Sequence, residues 1–535
     1  MKTIPHSRRD HYLVRVSVFL IMIALIAGMA GCIYTPPAPS QNLEIRDWYE
    51  LDAIRYNLGG DHTLMNDLDS TTSGYEELAS PTSHGGKGWK PIGSYLELGE
   101  CPYRGFEGTF DGQGYEIRDI FINRPDERCV GLFGALGGGY SIVGGFIKDM
   151  GAVNVTVTGN YYVGGLVGGN WDGTVSNSYS TGSVTGNESV GGLAGQNSGT
   201  VTNSYSTGSM TGNESVGGLV GRNWNGTVSN SYYDYDEVLI NGEKAITIGA
   251  LFGEDFEEWL NNDKFLDVDE RLSQENGYYF ISNVNDFKEL LAFGQYDSLK
   301  FRLTKDLDLV DEPNLYIPYF SGEFDGNGHK ISNLSCDFGS VSHVGLFGYI
   351  AHGGKLIEVG VENVNITGAW WVGGLAGFND GTVTNSYSTG IVTGNKYVGG
   401  LMGVNWGSDT VSCSYSTSNV SGTSGVGGLV GANWGGIVSK SYSTGNVSGN
   451  EHVGGLVGEN MGGGLISNSF WDTETSGQAT SDGGTGKNTT EMQDIVTFSG
   501  AGWSIRTVND PGERNLAGIW NIVNEQTYPF LSWES

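Results

Sequence analysis

The chain has 535 residues, of which 88 are glycine, and its 60 acidic against 28 basic side chains give a net charge of −32. Phosphates require a basic footprint, so this balance argues against nucleic acid as a partner and against a basic patch on anionic lipid. Only 12 prolines occur and the glycines do not fall every third residue, which excludes collagen. With 38% hydrophobic and 11% aromatic residues the chain can still build a core.

The first element is an address. Lys2, Arg8, Arg9 and Arg15 precede the uncharged stretch VSVFLIMIALIAGMA at 16–30. That length suits a signal-peptide core better than a spanning helix, which needs about 20 apolar residues. Met29-Ala30-Gly31-Cys32 closes it, and small residues before a cysteine resemble a prokaryotic lipobox. The expectation is a signal peptide over 1–31, a lipid on Cys32 and a tether over 32–44; an ordinary cleaved signal is the alternative. The membrane, reached through that lipid, is thus an expected partner.

Repeats dominate the rest of the chain. VGGLxG phrases begin at Val163, Val190 and Val216, and again at Val372, Val398, Val426 and Val453, in steps of 26 to 28 residues within each set. A second phrase of the type TVTNSYSTG begins at Thr174, Thr200, Thr382 and Ile437. Val, Thr and Tyr favour pleated structure, while Gly and Asn accept the positive φ of tight corners. One unit cannot bury its apolar side alone, whereas stacked units can. The predicted fold is all-β: a parallel β-helix, or β-solenoid, with coils of about 26–28 residues and three strands each. Strict alternation would put Val175, Asn177 and Tyr179 on one face. Lys440 and Cys413 take the Asn177 place in other coils, and a buried unpaired Lys is costly. A bend is therefore expected there.

These units resemble the GLUG repeats of large secreted and surface proteins of bacteria and archaea. The resemblance covers about residues 160–230 and 370–470. It implies a β-helical surface protein without a defined activity. Some metallopeptidases that cleave immunoglobulin carry similar repeats beside HExxH; no such motif stands here, so that activity is not implied.

The array is duplicated. GTFDGQG at Gly108 matches GEFDGNG at Gly322, and VGLFG at Val130 matches VGLFG at Val344, each pair 214 residues apart. Asp47–Leu51 resembles Asp286–Leu290, and an LxxDLD phrase follows each, at Leu64 and Leu303. These openings are read as a short helix and first strands that cap each array. The organisation is then a first cap and array over 45–232, an acidic, partly helical connector over 233–280, a second cap and array over 281–470, and a capping segment over 471–535. Residues 233–314 hold 20 acids against 7 bases, so the negative charge belongs to connectors and caps. In the final segment Trp503, Trp520, Tyr528, Phe530 and Trp533 are expected to cover the last coil.

Chemistry is sparse. Asp111 and Asp325, in FDGxG, are the candidate carboxylates for a polysaccharide lyase or hydrolase, yet Asp-Gly in equivalent caps reads as turn chemistry. No catalytic residue, metal site or cofactor is assigned. Asp267 and Asp269 lack EF-hand spacing and read as a solvated acidic face. With Cys32 removed, four cysteines allow three full pairings, of which Cys101–Cys129 is a candidate within the first cap. Asn-Trp recurs at Trp171, Trp224, Trp406 and Trp434, with Ser198, Asp380 and Met461 in the Trp place of other coils. An exposed row of these rings would grip sugar faces; the alternative is that they shelter one another at a coil corner. The expected function is a non-enzymatic, lipid-anchored cell-surface solenoid for adhesion or envelope structure. Surface glycans and other envelope proteins are its candidate partners.

Overall fold

The computed structural model describes residues 42–93, 105–138 and 144–534. The address segment with Cys32, and Cys101, lie outside the described residues. Among the described residues no helix is long and apolar enough to cross a membrane.

The chain is a β-solenoid. Each coil lies parallel on the one before, and the repeated phrases meet in register. Val163 pairs with Val190 and Val190 with Val216; Val372, Val398, Val426 and Val453 form the equivalent column in the second array. Inward valines such as Val175, Val201 and Val228 are fully buried. Burying each side chain contributes about 2 kcal/mol, but only once a neighbouring coil covers it.

The repeat coils of the first array have four strands rather than the expected three, and those of the second have three to five. One coil runs Thr174–Ser176, Tyr179–Thr185, Glu188–Gly191 and Ala194–Asn197. The extra break falls at the Gly-Gly-Leu of the repeated phrase. There a Cβ on Gly374 would stand 1.9 Å from Ser388 Oγ, so the chain can turn inward at this point only without a side chain. The bend expected at Asn177 is present. Asn177, Asn203, Asn230, Asn385 and Asn468 have φ of 45–50°, as do Cys413 and Lys440. These residues turn the corner in the left-handed region, which Asn tolerates best. After each corner a buried serine ties coils together: the Ser178, Ser386 and Ser414 amides each donate to the serine hydroxyl of the next coil at 3.1 Å.

Each array opens with the expected helix. Asp47 caps Trp48–Ala53 by accepting from the Glu50 amide at 2.9 Å, and Asn283 caps Val284–Lys288 through the Asp286 amide at 3.0 Å. The first array is closed by Leu239–Ile240 and Ala250–Leu251, which pair with its last strands. The helix Gly253–Asn261 then lies along the outside, where Trp259 packs on Tyr205 and Tyr232. The acids of this segment are not simply solvated: Arg271 pairs with Asp255, Glu258 and Glu289, and Asp267 caps Val268–Arg271.

The final segment meets the last coil, where Trp503 packs on Phe470 and Tyr528 donates to Asp472, and reaches beyond it. The last coil is sealed by residues 480–487, where the Gly455 amide donates to the Thr480 carbonyl and Thr485–Lys487 pairs with Phe470–Asp472. Trp503, Trp520, Tyr528 and Trp533 run back along a flank, over the stacked rings of Tyr387, Tyr415 and Tyr442. Phe530 pairs with Asn521 beside them and stacks on Arg514. The tyrosine column is apolar and outward-facing, and it needs a cover along its length.

No sheet holds described strands of both arrays. The last coil of the first array abuts the outer face of a six-stranded sheet of the second. Tyr319, Tyr349 and Phe378 form a stacked column on that face, at 5.6 and 5.0 Å, while Ile317, Phe320 and Phe347 point to the core. Tyr349 donates to Asn225 at 3.2 Å, and the Ser215 amide donates to the Ser340 carbonyl at 2.8 Å.

Candidate functional site

The Asn-Trp corners are the place to look for function. Their asparagines are structural. Asn170 donates to Asn197 and Asn197 to Asn223, each at 2.8 Å. In the second array Asn379, Asn405, Asn433 and Asn460 form the same chain at 2.8–2.9 Å. This ladder is largely buried, and its amides also reach backbone carbonyls of the corner, as Asn433 does at Gly436. A carboxamide both donates and accepts, so identical residues stacked one coil apart satisfy each other.

The tryptophans do not form one row. Trp171 packs edge-to-face on Tyr162, 5.5 Å away, apart from the others. Trp224 is part of the junction between arrays, with its ring 5.8 Å from both Trp371 and Trp406 and 6.3 Å from Trp434. Arg222 lies 4.7 Å over both Trp224 and Trp371 and pairs with Glu188 at 3.5 Å. Trp406 and Trp434 occupy adjacent coils, yet they meet at 5.6 Å and 78° rather than as parallel plates. Trp224 and Tyr397 crowd them into that edge-to-face arrangement. Beyond them lies a shallow open recess of about 550 Å³, lined by Trp406, Gly407, Ser408, Trp434, Gly435, Met461 and Gly462. Met461, in the Trp place of its coil, is 44% exposed.

One constellation is not evident from the repeats. At the same corner, His352, Asp380 and Asp409 come from three successive coils, with ligand atoms within 4.8 Å of one another. His352 Nδ1 stands 4.0 Å from Asp380 Oδ1. Burial, with Asp409 as a hydrogen-bonded neighbour, pushes the Asp380 carboxyl up to about 7; Asp409 is also raised, mainly by burial. The spacings of 28 and 29 residues are close to the coil length, and that is the signal in the sequence that could have found them.

Asp111 and Asp325 serve turns. Each accepts from the amide two residues on, at 3.0 and 2.9 Å, and each is paired with a base: Lys148 at 2.6 Å, Arg302 at 2.8 Å. Cys129 is a free thiol buried in the core, and burial pushes it up to about 12. Cys336 and Cys413 are likewise free and buried.

Comparison with known proteins places these coils. The model described as "The GLUG motif" matches five segments, 159–185, 186–211, 212–232, 368–393 and 422–448. The chain thus carries five GLUG motifs, and they lie within a β-solenoid. A segment of 84 residues, 16% of the chain, is 49% identical to 1% of a protein of Haloquadratum walsbyi named "Halomucin". An alignment of 137 residues, 24% of the chain, is 34% identical to 13% of a protein of Evansella cellulosilytica named "Putative Gly-rich membrane protein". The chain thus spans a small part of both relatives. A crystal structure titled a "putative immunoglobulin A1 protease", from Bacteroides ovatus, aligns over 49% of this chain and 94% of its own, with TM-score 0.39 and 19% identity.

Proposed function

We propose that the chain is a non-enzymatic, extracytoplasmic β-solenoid, held at the membrane by a lipid on Cys32, that acts in adhesion or envelope structure. The observation that carries this reading is the use of its recurring polar residues. The Asn and Ser columns bond coil to coil, and the Tyr column is covered along its length. The carboxylates do not suit glycoside hydrolysis either. The donor oxygens of Asp380 and Asp409 lie within 4.8 Å of each other, closer than the two carboxyls about 5–9.5 Å apart that flank a glycosidic bond. The names of the two relatives, a halomucin and a membrane protein, favour the cell surface. The test is fatty-acid labelling and protease shaving of intact bacteria making the full chain. Labelled, protease-accessible protein is expected, with release to the medium in Cys32→Ser. Protein protected until lysis would overturn the reading.

The recess beside Trp406 and Trp434 favours a second reading, carbohydrate binding at a single corner rather than along a row. Aromatic faces next to small residues admit a pyranose ring. A glycan array with wild type and Met461→Ala separates the two readings. Binding to one glycan class that weakens in the variant supports a lectin-like surface protein; no binding leaves the solenoid as a structural or protein-binding element.

A further inference from the structure

We propose that His352, Asp380 and Asp409 form a binding site for a divalent transition-metal ion at one corner of the second array. The coil stack itself assembles the site. Ile350 pairs with Asn379 and Asn379 with Asn405, so the corner segments that follow these strands lie one above another. His352, Asp380 and Asp409 sit on three consecutive corners, and parallel strands are only about 4.8 Å apart from coil to coil.

Asp409 breaks a column that is otherwise glycine, and Asp380 stands in the variable place that holds Trp in its neighbour. The Asp380 place holds Trp406 in the next coil, and the Asp409 place holds Gly381 before it and Gly436 after it. The ladders need neither acid, so stacking does not account for them. The two carboxylates are half-buried and face each other, and neither forms an ion pair with Lys or Arg among the described residues. A cation between them would replace repulsion with attraction on both sides.

The distances suit an ion after a small adjustment. Ligands at about 2.1 Å from a metal lie at most about 4.2 Å from each other. The donor atoms now span 4.8 Å or less, and His352, 85% exposed, is free to swing inward. One imidazole with two carboxylates is a donor set for zinc-like ions, whereas Ca²⁺ takes six to eight oxygens. Three protein ligands leave a position open to water or another donor. Gly407 borders the site: a Cβ there would stand 3.5 Å from Asp409 Oδ2 and 3.7 Å from Asp380 Oδ1. The same glycine lines the tryptophan recess, so the ion and the recess share a wall.

This site stands apart from the glycan reading, because the probe is the metal alone. The experiment is calorimetric titration of Zn²⁺ into the full chain in detergent, with Ca²⁺ in parallel. One equivalent of Zn²⁺ is expected to bind. Asp380→Asn and Asp409→Asn should each weaken it at least tenfold, His352→Ala should weaken it too, and Ca²⁺ should bind far more weakly. Thermal melts without metal check that the variants remain folded. Absence of saturable uptake, or uptake that survives the Asp380→Asn/Asp409→Asn double variant, would overturn the proposal. So would equal Ca²⁺ binding untouched by His352→Ala.

Discussion

The Asn405 side-chain amide donates to the Asn433 carboxamide oxygen 2.9 Å away, one coil further along the stack. Asn405 also accepts from Asn379 at 2.8 Å. Asn405→Ala therefore strands a donor on one side and an acceptor on the other, in a dry site. The expected cost is about 2–3 kcal/mol in urea unfolding. A cost below about 0.5 kcal/mol would mean that water replaces the missing amide.

Gly436 lies beside that ladder. A Cβ there would fall 2.1 Å from Asn405 Nδ2, whereas one on Gly500 meets nothing within 4 Å. Gly436→Ala should lower the melting temperature markedly and Gly500→Ala should leave it nearly unchanged. Equal effects would show that the corner relaxes freely.

The junction between arrays rests on Arg222 and Trp224. Trp224→Ala removes ring contacts to Trp371, Trp406 and Trp434 and leaves Arg222 with one fewer face. We expect about 2–4 kcal/mol of weakening, seen as earlier proteolysis between 233 and 345 or as two unfolding transitions in place of one. A single unshifted transition would place the strength of the junction elsewhere.

Glu534 gives a pH signature. Burial pushes its carboxyl up to about 7, although the Leu531 amide and the Tyr415 hydroxyl oppose the rise. Between about pH 4.5 and 7 the folded chain keeps a proton that the unfolded chain has released, so stability falls as pH rises through that window. Glu534→Gln should flatten this part of the stability curve and melt higher than wild type at about pH 8. Parallel curves for the two proteins would contradict the shift.

Much of the fold is legible in the sequence, for a physical reason. In a stacked fold each coil repeats the environment of the last, so substitution within a column is informative. Lys440 and Cys413 in the Asn177 place point to a corner, and the φ values agree. The fourth strand is hidden, because Gly-Gly-Leu marks close packing without announcing a break in the ladder. A single Trp row is the natural expectation from the repeats, but Trp224 and Trp406 are 182 residues apart in sequence and meet only where one array docks on another. The His352–Asp380–Asp409 cluster is hidden in a different way. Asp409 departs from its own column and Asp380 stands in a variable place, whereas a repeat pattern displays what recurs.

The ladders also govern how such a molecule can change in length. Every column of Asn, Ser and Tyr requires one member per coil, so a deletion of part of a coil would throw all columns out of step at once. Removal of a whole coil away from the array junction and the flank segment would leave each column shorter but intact. The protein is thus built on a ratchet: its reach grows or shrinks in steps of about 4.8 Å, and intermediate lengths have no stable register.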